Sequence, residues 1–118
     1  MSRRALLLLA ALALFVAPAV AQTGFHVTHN VGEPTATSVE VTGTVTNQTR
    51  AEALDVSVTV EAYGANGKRI ARGITFVSPR LSAGATANFV AKVPVVTGVA
   101  GYRASVTSYR FVQGIEGP

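Results

Sequence analysis

No cysteine and no tryptophan occur anywhere in the chain. The lack of cysteine excludes disulfide staples, thiolate nucleophiles, cysteine metal sites and a lipid anchor carried on a cysteine. The fold must hold by packing alone. Aspartate occurs once, as Asp55, and histidine twice, as His26 and His29. That leaves little material for acid–base or metal chemistry. Charged residues are 14% of the chain and form no run. The net charge of +4 is therefore scattered, unlike the concentrated basic patch that nucleic-acid binding needs. Leucine nearly disappears after residue 21, where only Leu54 and Leu81 occur.

The one long apolar run covers residues 5–17, behind Arg3 and Arg4. It is too short for a comfortable membrane span. Pro18-Ala19-Val20-Ala21 follows with small residues at the positions a signal peptidase reads. Residues 1–21 read as a secretory signal peptide cut after Ala21. The mature chain is then secreted or periplasmic, has 97 residues, and keeps no stable membrane anchor.

What is abundant in those 97 residues is valine, with 16, and threonine, with 13. β-Branched side chains crowd a helix and suit a pleated surface, so the chain reads as all-β. Strands are predicted over residues 25–31, 37–46, 53–63, 68–78, 85–93 and 101–112. In the second, Val39, Val41, Gly43 and Val45 share a face. In the third, Leu54, Val56, Val58, Val60 and Ala62 point inward and Asp55, Ser57, Thr59 and Glu61 outward. In the fourth, Ile70, Ile74 and Phe76 share a face. Tyr109 and Phe111 fall out of phase with Tyr102, Ala104 and Val106, which predicts a bulge or a second covered face. Asn66-Gly67 suits the positive φ angles of a hairpin turn. Short strands at this spacing argue an antiparallel β-sandwich of six or seven strands. Residues 22–36 form an N-terminal segment with the first strand, 37–112 the sandwich core, and 113–118 a tail.

The segment Val41-x-Gly43-x-Val45-x-Asn47, the valine-rich strand ending at Tyr63, Gly67-Lys68, Leu81-Ser-Ala-Gly84 before Phe89, and Tyr102 together resemble the FxLYD domain family. The resemblance covers residues 37–110. It implies a small extracytoplasmic sandwich of immunoglobulin-like topology and brings no catalytic residue, cofactor or metal ligand. Gly43, Asn47, Tyr63, Gly67, Gly84, Phe89 and Tyr102 are its structural signature. Asn47-Gln48-Thr49 is also a glycosylation acceptor pattern, but Asn47 at a strand end reads first as a cap for nearby backbone. Gly43 leaves room for a close backbone or a ring, with Tyr63 or Tyr102 the expected partner.

The remaining constellations favour structure over chemistry. His26 and His29 are three apart, so on a strand they face opposite ways and read as partly exposed, with no metal. No nucleophile elbow and no phosphate-binding loop occur. The expectation is a non-enzymatic module that binds an envelope or extracellular protein or serves a structural role, with no nucleic acid and no cofactor. Its contacts would run along an edge strand, residues 25–31 or 102–112, or at a patch of Tyr109, Phe111 and Val112. The alternatives are a carrier holding a small apolar molecule between the sheets and an accessory to an envelope enzyme.

Overall fold

The computed structural model describes residues 20–22 and 24–112. The predicted tail lies outside these residues, as does the predicted leader except for Val20 and Ala21. The elements are β1 (Val20–Gln22), β2 (Phe25–Pro34), β3 (Ser38–Asn47), β4 (Ala53–Gly64), β5 (Arg69–Leu81), β6 (Thr86–Pro94) and β7 (Val99–Phe111). No helix is among them. β1 is a three-residue strand on β2 that straddles the predicted cut. Two antiparallel sheets result, β1-β2-β3-β6 and β5-β4-β7, and they pack face to face as a β-sandwich.

The inner faces are built from valine and alanine. Val27, Val41, Val45, Val56, Val58, Val60 and Val93 are all completely buried. A fully buried valine contributes about 1.5–2 kcal/mol through removal of apolar surface from water. Phe25 and Phe89 supply the larger volumes of the core. Gly43 lies opposite Phe89 in the β3–β6 ladder, and the Phe89 ring covers it. The ring expected there from Tyr63 or Tyr102 is thus Phe89. A Cβ at residue 43 would overlap both that ring and the Thr28 carbonyl oxygen.

Two predicted strand faces are corrected. In β4, Asp55 takes a positive φ of 50° and the ladder shifts register beside it. The phase flips, so Ala53 is buried and Leu54 turns to the outer side. In β5, Ile70, Ile74 and Phe76 face solvent, and Ala71, Gly73, Thr75 and Val77 face inward. The reason is the approach of β5 to β6. A Cβ at Gly73 would overlap the Lys92 carbonyl oxygen. Only the small-residue side of β5 fits against that backbone. In β7 the predicted bulge is present. Val58 pairs with Val106 but Ser57 with Ser108, which inserts Thr107 and sets the Tyr109 and Phe111 rings against Phe25, with Tyr109 still exposed.

The β4–β5 connection also differs in detail. Gly67 has φ 82° and Asn66 does not have a positive φ. The Gly67 amide donates to the Gly64 carbonyl at 2.9 Å, and the Lys68 amide donates to Asn66 Oδ1 at 3.0 Å. This is a longer loop closed by a left-handed glycine, in place of a two-residue turn with both positions left-handed.

Gly43→Ala is expected to destabilise the chain by about 3 kcal/mol or to prevent folding, because two rigid neighbours must give way. Gly67→Ala, with nothing within 4 Å of its Cβ, should cost only the left-handed penalty of about 1–2 kcal/mol. Urea midpoints of the two variants check the order.

Candidate binding face

The two outer faces of the sandwich differ in chemistry. On the β2-β3-β6 side the rows are His26–Thr46–Thr86, Thr28–Thr44–Asn88, Asn30–Thr42–Val90 and Glu40–Lys92. Threonine hydroxyls pair across strands at 2.7 Å, Thr28 with Thr44 and Thr46 with Thr86. This is a solvated surface whose charges stand opposite each other.

The β5-β4-β7 side is framed by arginine. Arg80 and Arg110 flank Leu54, and Arg72 and Arg103 flank Glu61. Arg69 pairs with Tyr63 in the next row. All five arginines are exposed. Between the two arginine groups lie Ile74 and Phe76, opposite Thr59 and Ser57. Ile74 is 63% exposed and Phe76 58%. Ile70 adds to the same edge.

The acidic groups of this face are already occupied. Arg69 Nη1 lies 2.8 Å from Glu61 Oε2, Arg80 Nη1 3.1 Å from Glu52, and Arg110 Nη2 3.0 Å from Asp55. Such exposed pairs add little stability, but they cancel the negative charge of the face. The Tyr63 hydroxyl donates to Glu61 Oε1 at 2.6 Å, and the Arg103 guanidinium stands 5.3 Å from the Tyr63 ring centroid. The bonds from Tyr63 and Arg69 hold the Glu61 carboxyl below its ordinary range, and the bond to Glu61 pushes the Tyr63 hydroxyl up. Among the described residues Arg72 and Arg103 form no ion pair, so they carry the net positive charge outward.

The other predicted site residues serve packing. Asn47 is fully buried. Its Nδ2 donates to the carbonyls of Ala51 at 2.8 Å and Leu81 at 2.9 Å. Its Oδ1 accepts from the Thr49 amide at 2.9 Å and the Thr49 hydroxyl at 2.7 Å. Its backbone amide donates to Ala85, and its carbonyl accepts from Gly84, whose φ is 78°. The side chain ties the end of β3 to the following loop and to the end of β5. The folded chain offers no exposed amide there for a glycan.

Of the predicted patch Tyr109, Phe111 and Val112, Tyr109 is 42% exposed. Tyr109 and Phe111 meet the buried Phe25 ring at centroid distances of 4.8 and 6.5 Å, and each other at 5.2 Å. Phe111 and Val112 are half-buried, and the Val112 amide donates to the Glu52 carbonyl at 3.1 Å. Of the edges named from sequence, β7 is the end strand of its sheet. β2 lies between β1 and β3.

At the opposite end, Val31, Pro34 and Val39 from β2 and β3 face Val95, Val96, Val99 and Tyr102 around an open depression of about 320 Å³. His29, expected to be partly exposed, is buried next to it in sequence on the inner face of β2. Its Nδ1 has no partner. Burial pushes its pKa down, and a hydrogen bond with the Tyr102 backbone opposes that shift. No known family profile, no curated protein and no solved structure matches this chain.

Asn47→Ala should cost about 3 kcal/mol, because the Leu81 carbonyl in the interior and the part-buried Ala51 carbonyl and Thr49 amide lose their partner. An exposed control, Asn88→Ala, should stay within about 0.5 kcal/mol. Urea unfolding measures both. For His29, a native pKa below 6.5 means the unfolded chain takes up its proton first as pH falls. Stability is then fully present above that value and declines below it. His29→Gln should flatten this slope, and the decline due to Glu61 begins only below 4.5. Urea midpoints from about pH 7.5 to about pH 5 separate the two groups.

Proposed function

We propose that the chain is a non-enzymatic module of the cell envelope, secreted or periplasmic after removal of residues 1–21, that works by docking the outer face of β5-β4-β7 on an envelope component. The observation that carries this reading is the exposure of Ile74 and Phe76 side by side within a frame of five arginines. Apolar side chains grouped in the open commonly mark an interaction surface. Arginine and aromatic residues are also the types enriched where partners meet, and lysine is depleted.

The topology supports an immunoglobulin-like assignment. β2-β3-β6 facing β5-β4-β7, with chain crossings between sheets after β3, β5 and β6, follows the strand order A-B-E against C′-C-F of that fold. The same order fits the FxLYD resemblance. A second reading is the carrier of a small apolar molecule, and the valine-lined depression beside Tyr102 favours it.

The chain has no cysteine, so a single introduced thiol carries a photo-crosslinker to one place. Ile74→Cys, Val96→Cys in the depression, and Thr44→Cys on the threonine face form the comparison. With envelope extract, crosslinks concentrated at residue 74 are expected. Equal yields at all three positions, or none, would reject the docking face, and yield confined to residue 96 would favour the depression.

A further inference from the structure

We propose that the arginine-framed face of β5-β4-β7 docks on an anionic lipid surface, with the arginines on headgroup phosphates and Ile74 and Phe76 in the layer beneath. The proposal rests on the docking reading above and names its partner.

Charge selects the side of the molecule. The face carries Arg69, Arg72, Arg80, Arg103 and Arg110 against Glu52, Asp55 and Glu61, and each of the three acids is held by one of these arginines. The net charge pointing outward is positive. The opposite face pairs Glu40 with Lys92 and otherwise presents threonine, asparagine, His26 and the single exposed apolar side chain of Val90 in its rows. A second copy meeting the first through this face would set positive charge against positive charge, so self-association there is disfavoured.

Geometry selects the kind of partner. Arg80 and Arg110 lie at one end of β4, and Arg69, Arg72 and Arg103 at the other. From Leu54 to Glu61 is about 23 Å of strand at the usual rise. Arg80 and Arg110 are each held by an acid, and Arg72 and Arg103 stand together beside Glu61, so a partner that meets the whole face must span both groups. A lipid surface offers phosphates at every spacing, and the guanidinium fork binds phosphate through two donors at once. The apolar pair stands between the two charged groups on the same plane. Apolar residues ringed by cations suit the boundary between headgroups and acyl chains. The backbone of Ile74 and Phe76 is paired to β4 on one side, and the other side of β5 is a sheet edge.

The test uses the chain from Gln22 onward, since among the described residues the buried core runs from Phe25 to Val106 with Phe111 packed against it; circular dichroism verifies the fold of each variant. Sedimentation is measured with vesicles of phosphatidylcholine alone and with vesicles containing one-third phosphatidylglycerol. Binding is expected only to the anionic vesicles, and to weaken with salt. Arg72→Gln with Arg103→Gln should weaken it about fivefold per charge removed. Ile74→Ser with Phe76→Ser should weaken vesicle binding but leave retention on immobilised poly-glutamate unchanged. Lys92→Gln, on the other face, should bind as the parent does.

No binding to anionic vesicles overturns the lipid surface, and so does full binding by the Ile74→Ser, Phe76→Ser variant. If vesicles fail while a crosslinker at residue 74 still captures a protein, the docking face stands and its partner is a protein. If both fail, the docking face falls as well.

Discussion

β5 can cross β6 at close range only because residue 73 has no side chain. A Cβ on Gly73 would meet the Lys92 carbonyl oxygen, so the strand must present its smallest side to the other sheet. Ala71, Gly73 and Thr75 therefore go in, and Ile74 and Phe76, on the opposite parity, go out. The period of a strand allows no intermediate arrangement, since moving the phase by one residue reverses every side chain. The exposed apolar pair is thus a consequence of a backbone contact between sheets.

The far end of the sandwich depends on a different device. Asn47 is buried with both amide hydrogens and its carbonyl oxygen engaged. A buried amide satisfied in this way holds β3, its loop and the end of β5 in one relative position. The β5 end carries Arg80, so this anchoring also places one of the two arginine groups. The Phe25, Tyr109 and Phe111 rings close the adjacent edge and keep the end of β7, with Arg110, at the same level. Anchoring of the face and packing of the core are therefore one problem. Among the described residues, the His29 Nδ1 is a buried side-chain atom without a partner.

Much of this was legible where one strand obeyed one period. The alternation in β3 and in the upper half of β4 predicts Val41, Val45, Val56, Val58 and Val60 in the core, and the out-of-phase Tyr109 and Phe111 predict a bulge or a second covered face, with the structure placing a bulge at Thr107. The reading failed where backbone geometry broke the period. Leu54 reads as a core residue until the left-handed turn of Asp55 reverses the phase. The bulge sets the Tyr109 and Phe111 rings against Phe25 and leaves Tyr109 partly open to solvent. The arginines are far apart along the chain. Pairing of three strands collects five of them on one surface.

By itself the sequence determined the class of fold, the central valines of the core and the role of Asn47 as a strand end. These follow from local rules, namely β-branched sterics, the two-residue repeat and the hydrogen-bonding capacity of one amide. Only the tertiary structure decided which face of β5 is buried, which ring covers Gly43, and that the arginines share a surface with Ile74 and Phe76. The reason is that these outcomes depend on distances between strands that are not neighbours in the chain. A sequence records that residue 73 is glycine, but the carbonyl that requires it arrives only when β6 folds against β5.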